Sequence, residues 1–284
     1  TDHEPLFRQN SFFHWFFGVA EPDYFGTLDL ATGKATLFIP RLPAEYAVWM
    51  GKIPSLAEVQ SRYGVDSCEY TDQLPAQLPR DKRVHVLKGY NTDSGKWSTP
   101  ASFAAIDTVE ADFDVDASTK LYDAAAECRA FKTDAELEVM RYVAALSSEA
   151  HCEVMRKCEP GMMEYQLEAI FTGHCYYHGG ARMMSYTCIC AVGENSATLH
   201  YGHAGAPNGR VLEDGDMALL DMGAEYCCYG SDITCSFPVN GIFSDDQRTV
   251  YEAVLSAQEA VEAAMGPGVE WSEMHRLSER CILE

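Results

Sequence analysis

The stretch from Met217 to Pro238 constrains this chain more than any other. It reads Met-Ala-Leu-Leu-Asp-Met-Gly-Ala-Glu-Tyr-Cys-Cys-Tyr-Gly-Ser-Asp-Ile-Thr-Cys-Ser-Phe-Pro, with Asp221 in the first apolar run and Asp232 in the second. Two β-prone runs around a polar, glycine-containing middle predict an antiparallel hairpin. A turn centred on Tyr226–Cys227 sets the two aspartates directly opposite each other, with Cβ atoms about 4.5–5.5 Å apart. Ionised carboxylates that close repel, more strongly when partly buried. Either one of them holds a proton or a cation sits between them. Aspartates beside turns are commonly just solvated, yet strands seldom carry Asp among apolar residues as both runs do here. No Asn-Gly marks the tip, and a bulge at Gly223 or Gly230 would shift the register.

With 284 residues, one large or two ordinary domains are expected, and 47% apolar content supplies a substantial core. The 43 acidic and 21 basic side chains give a formal charge of −22, with no basic cluster. Such a chain repels phosphate backbones and anionic lipid surfaces, so neither nucleic acid nor membrane is an expected partner. The 11 cysteines are odd in number and follow no regular framework, and there is no C-x-x-C pair or N-glycosylation sequon. Reduced thiols and a cytoplasmic location fit that pattern. No signal peptide or membrane-crossing run is seen, and Phe12–Phe17 reads as core. The chain opens at Thr1 without Met and stops inside a helical pattern, so both ends read as cuts.

Residues 1 to about 115 read as a mixed α/β unit. Strands at 24–30 and 34–39 flank an Ala31-Thr-Gly33 turn, followed by short helices at 43–50 and 56–63, a strand at 84–87 and a loop at 91–95. No phosphate-binding glycine motif occurs there. A helix over 119–131 leads to Thr133-Asp-Ala-Glu136, a capping box that opens a long amphipathic helix to Lys157. His151 lies on it, and a lone helical histidine ordinarily packs rather than ligates. A helix over 164–177, a strand over 185–192, the hairpin, and helices from about 245 to 265 and from 271 follow. The boundary falls near 120–132, giving units 1–125 and 126–284.

Three segments then carry a family likeness: Glu194-Asn-Ser-Ala-Thr-Leu-His-Tyr-Gly-His203, Leu220-Asp-Met-Gly223 and Ser231-Asp-Ile-Thr-Cys-Ser-Phe-Pro238. Together they resemble the pita-bread metallopeptidases of family M24, which include methionine aminopeptidase, aminopeptidase P and prolidase. Leu6–Trp15, Phe38–Pro43, Trp49–Lys52, Asn91–Gly95 and Cys128–Glu138 are similar to the eukaryotic prolidase, or Xaa-Pro dipeptidase, branch. The fold this implies is α/β: a creatinase-like N-terminal domain and a pita-bread (α+β) catalytic domain, both incomplete in this chain.

The resemblance also implies a site. Asp221 and Asp232 match the first two ligands of a centre holding two divalent ions, usually Mn2+; the remaining His and two Glu ligands are absent from this chain. His200 matches the histidine that contacts the bound dipeptide and stabilises its tetrahedral intermediate. Tyr186 matches a tyrosine of the same cleft, Thr234 a residue beside the second aspartate, and Trp49 a loop reaching over a partner's cleft in related dimers. Without the likeness, His200 reads as a satisfied core histidine, Tyr186 and Trp49 as packing residues, and Thr234 as an ordinary strand residue. Manganese is a hard ion that prefers carboxylate and imidazole. An Xaa-Pro bond lacks an N–H and has a fixed φ, so it calls for a cleft shaped to it. The expectation is hydrolysis of Xaa-Pro dipeptides by a homodimer, with the 284-residue polypeptide alone poorly active. Aminopeptidase P, a non-catalytic pita-bread binding protein and a metal-free creatinase-type hydrolase are the alternatives; retention of both aspartates argues against the last two.

Overall fold

In the computed structural model, which describes residues 5–99, 114–116 and 118–284, the chain divides into units Thr1–Asp134 and Ala135–Glu284. The division falls later than the 125/126 expected, because the helix Lys120–Ala130 belongs to the first unit.

The first unit begins with α1 (Ser11–Phe17), whose leading amides are capped by the Asn10 side chain. Strands β1 (Phe25–Leu28) and β2 (Ala35–Ile39) pair antiparallel, and the Asp29 carboxylate accepts from Ala31 N and Thr32 N in the turn between them. The short α2 (Tyr46–Met50) and α3 (Leu56–Tyr63) lead to β3 (Ser67–Tyr70), which lies parallel to β2. A reciprocal Ser55–Glu58 capping box starts α3, and left-handed Gly64 ends it. Val19, Leu37, Ile39, Val59 and Cys68 form the core. Beyond α4 (Leu74–Gln77), β4 (Val84–His85) pairs with β7 (Val115–Asp116). The stretch 91–95, expected as a loop, is the turn of a small hairpin of β5 (Tyr90–Asn91) and β6 (Lys96–Trp97). Helix α5 (Lys120–Ala130) follows.

The second unit opens at the first turn of α6 (Asp134–Lys157), and α7 (Glu164–Gly179) follows, ending at left-handed Gly180. Two short sheets follow. One has the order β13–β10–β9, from β9 (Ile189–Val192), β10 (Met217–Met222) and β13 (Ile233–Pro238). The other has the order β12–β11–β8, from β8 (Met183–Met184), β11 (Ala224–Tyr226) and β12 (Tyr229–Gly230). Strand pairing over 185–192 is confined to Ile189–Val192, shorter than expected. Burial alternates along β10. Ala218, Leu220 and Met222 pack with Val143, Leu146, Ala150 and Val154 of α6 and Leu167 and Phe171 of α7. This alternation leaves Met217, Leu219 and Asp221 on the other face. A Ser244–Gln247 capping box starts α8 (Asp245–Ala264), which pairs with α9 (Trp271–Leu283).

Candidate metal centre

The hairpin forms, but its register differs from the expectation. Tyr226 pairs with Tyr229, so the tip is Cys227-Cys228, with φ of 50° and 64°. Two consecutive left-handed residues make a tight two-residue turn of the primed type. The same register continues across the bend, where Asp221 pairs with Thr234. Asp221 therefore faces Thr234 and not Asp232; Asp232 is its diagonal neighbour. Diagonal residues on antiparallel strands share a face, at about 7–8 Å between Cα atoms.

The two carboxylates are joined on that face by one phenol. The Tyr186 hydroxyl donates to Asp221 and lies 3.1 Å from an oxygen of Asp232. Burial raises the Tyr186 pKa well above the ordinary phenol value, and the charges of Asp221 and Asp232 raise it further. Tyr186 is thus held as a proton donor between two acceptors. Asp221 is half-buried and Asp232 and Thr234 are exposed, so the face stays open to water.

The bend that separates the aspartates is built by close backbone approach and buried serines. A Cβ placed on Gly223 would lie 1.8 Å from Ser231 O, so only glycine lets the strands cross there. Ser147 of α6 hydrogen-bonds Ser231 at 2.7 Å and receives Ala224 N at 3.1 Å, while Ser185 N donates to Gly223 O at 2.8 Å. Ser147 and Ser231 were not singled out from the sequence. The available signal was a serine on the apolar stripe of α6, one turn after Val143. His151 is buried against the opposite face of β10, with Nε2 donating to Met222 O at 3.0 Å.

His200 is exposed in the loop after β9 and hydrogen-bonds neither carboxylate among the described residues. Its neighbour Tyr201 is the buried one, and packs with Ala206 onto Ile189 and Ala191. Ile189 pairs with Asp221, so this loop lies on the carboxylate face. Trp49 belongs to the first unit and is 81% exposed on α2. The structure thus brings together Tyr186, Asp221 and Asp232, sets Thr234 beside them, and leaves His200 on the adjacent loop.

As donors, two carboxylates on one face suit a hard divalent cation. No group of three or more His, Cys, Asp or Glu that could hold a metal occurs among the described residues. Asp221 and Asp232 supply two carboxylates of the oxygen-donor kind such an ion takes.

Fold and site together define an α/β protein with a bend-separated aspartate pair. Residues 138–284 match metallopeptidase family M24, and residues 1–86 match the aminopeptidase P N-terminal domain. The chain belongs to metallopeptidase family M24, which implies a centre for divalent metal ions. It is 55% identical to the Xaa-Pro dipeptidase of Pongo abelii over 286 aligned residues, covering all of this chain and 57% of that protein. A probable Xaa-Pro aminopeptidase of Verticillium alfalfae is 35% identical over 290 residues, again covering all of this chain and 59% of that protein. Among solved structures, aminopeptidase PepP of Pseudomonas aeruginosa superposes with a TM-score of 0.84 at 32% identity, covering 99% of this chain and 64% of that one. The chain thus spans little more than half the length of the curated relatives it matches.

Proposed function

We propose that this chain belongs to an Xaa-Pro dipeptidase, a peptidase that hydrolyses the bond before proline in dipeptides. The observation that carries this reading is the pairing of Asp221 and Asp232 on one open face through the Tyr186 hydroxyl. Identity of 55% to a dipeptidase against 35% to a probable aminopeptidase favours dipeptides over longer substrates. Asp221 and Asp232 would hold two divalent ions, with Mn2+ the choice that suits an all-oxygen and imidazole set. When bound, such ions supply Lewis acidity toward the scissile carbonyl and make water a nucleophile at neutral pH. Tyr186 orients the two carboxylates. His200, on the loop beside them, contacts the substrate and its developing oxyanion. Thr234, opposite Asp221, borders the same face.

The enzyme is proposed to work as a cytoplasmic homodimer. The exposed end of α2, Val48-Trp49-Met50, 72–81% accessible, supports a role for Trp49 at a partner's cleft. The 284-residue polypeptide by itself is proposed to turn over substrate poorly, because two carboxylates are too few ligands for a tight site.

The test is hydrolysis of glycyl-proline and of glycyl-prolyl tripeptides by the full gene product, with and without Mn2+, alongside Asp221→Asn and Asp232→Asn. Loss of a partner that merely supports a ligand costs 10–100-fold, so loss of a ligand should cost about 100-fold or more. Faster cleavage of tripeptides would favour the aminopeptidase reading. Unchanged activity in both variants would refute the metal centre.

A further inference from the structure

We propose that Glu164 is the positioning residue of loop 193–210: its buried carboxylate clamps that loop, and with it His200, onto the face of the sheet that carries Asp221 and Asp232. The inference rests on the dipeptidase reading and adds a residue to it.

Glu164 is the first residue of α7 and is fully buried. A buried carboxylate demands compensation, and here four donors supply it. Oε1 accepts from Val192 N at 2.9 Å and Asn195 Nδ2 at 3.0 Å. Oε2 accepts from Tyr201 Oη at 2.7 Å and Arg210 N at 2.9 Å. The Arg210 guanidinium pairs with Asp216, and the four groups that donate to Glu164 are all neutral.

These four donors belong to the start, the middle and the end of one loop. Val192 closes β9, Asn195 lies in its first turn, Tyr201 sits at its middle, and Arg210 stands where it returns. One side chain thus gathers a segment whose closure otherwise costs entropy. Tyr201 is the link to the reaction. Burial and the hydrogen bond to Glu164 push its phenol pKa up, so it remains a donor. Its ring packs on Ile189 and Ala191, and Ile189 is the residue opposite Asp221. His200 immediately precedes Tyr201 and is itself exposed. Tethering Tyr201 therefore sets where the His200 backbone lies. Asn208 secures the far shoulder separately, donating to Glu168 at 2.8 Å and to Cys188 O at 3.1 Å.

Glu164→Gln leaves one oxygen and places an amide where two donors now point. A displacement of about 1 Å costs on the order of 100-fold in rate. The experiment is a double-mutant cycle in the full gene product, with Glu164→Gln, His200→Ala and the double variant. Glycyl-proline turnover is split into kcat and KM, and bound metal and melting temperature are measured in parallel. Glu164→Gln is expected to lower kcat about 10- to 100-fold with metal content unchanged. In the His200→Ala background the same substitution should change kcat by less than about 3-fold, because the group it positions is gone. Equal fold-losses in both backgrounds, or full kcat in a folded Glu164→Gln protein, would overturn the proposal. Should Glu164→Gln not fold, Tyr201→Phe removes one of the four bonds and takes its place in the cycle. If wild type cleaves no Xaa-Pro dipeptide, the dipeptidase reading fails separately. Amide exchange over 193–210 then decides the clamp: faster exchange in Tyr201→Phe sustains it, and no change overturns it.

Discussion

The Tyr186 hydroxyl lies between Asp221 and Asp232, donating to the first and 3.1 Å from the second. One donor thereby holds two carboxylates that would otherwise repel across the bend. Tyr186→Phe removes that donor and leaves water to solvate the two carboxylates. The metal-free full gene product should lose about 1 kcal/mol of stability, a modest figure because Asp232 is exposed to water. A cation must compete with that hydroxyl for the carboxylates, so saturating Mn2+ should stabilise Tyr186→Phe more than wild type. Urea unfolding with and without Mn2+ measures both. Equal stabilisation of the two proteins would show that the phenol and the ion do not compete.

The turn Cys227-Cys228 invites a second test. Both residues adopt left-handed backbone, at φ 50° and 64°, which costs an L side chain about 1–2 kcal/mol. Asn-Gly is the preferred pair for this turn. Cys227→Asn combined with Cys228→Gly should raise stability by about 1–2 kcal/mol without altering the Tyr226–Tyr229 pairing. A higher urea midpoint with an unchanged slope is the expected result. A lower midpoint would show that the tip is not a primed turn.

That turn also marks where the sequence was legible and where it was not. Helix starts are readable where their signals are local: Ser244 with Gln247 forms the reciprocal cap that its spacing announces, whereas Ser55, read only as a break before the helix, forms another with Glu58. The hairpin was readable from its two apolar runs. Its register was not, because Cys-Cys carries no turn preference that separates a tip at Tyr226–Cys227 from the observed one at Cys227–Cys228. The shared face of Asp221 and Asp232 survives that shift, since the diagonal pair keeps the same side of the sheet. Family likeness pointed to Tyr186, whose spacing from Asp221 carries no local signal. Glu164 escaped notice because an acid in a first helical turn is ordinarily solvated. Only its burial by distant loop donors distinguishes it.

His151 sets a pH dependence. Burial, the largest influence, lowers its pKa below the ordinary 6.5, while the Met222 carbonyl and Asp221 partly oppose the shift. The unfolded chain therefore binds this proton first as pH falls. The stability contribution is fully present above about pH 6.5 and is lost on acidification toward the lower folded-state value. The slope approaches about 1.4 kcal/mol per pH unit for one proton. His151→Gln keeps a donor for Met222 O but cannot titrate. Its stability should fall less steeply than wild type between pH 6.5 and 5 in chemical denaturation series. Parallel curves would mean that His151 takes up its proton equally in both states.

Gly223 is the point on which the whole arrangement bends. A methyl group there would stand 1.8 Å from Ser231 O and 2.5 Å from Ser231 C. Both are backbone atoms held by the Ser147–Ser231–Ala224 bonds, so no side-chain rotation relieves the clash. Relief requires moving the segment between β12 and β13 that carries Asp232. Gly223→Ala should therefore cost about 3 kcal/mol or more and weaken Mn2+ binding along with it. Gly173, inside α7 with nothing within 4 Å of an added Cβ, is the matched control. Gly173→Ala should gain up to about 1 kcal/mol from helix propensity alone. Urea unfolding of the two variants, with Mn2+ titration of each, separates the effects. A Gly223→Ala protein as stable and as metal-avid as Gly173→Ala would show that the bend does not depend on backbone contact at this glycine.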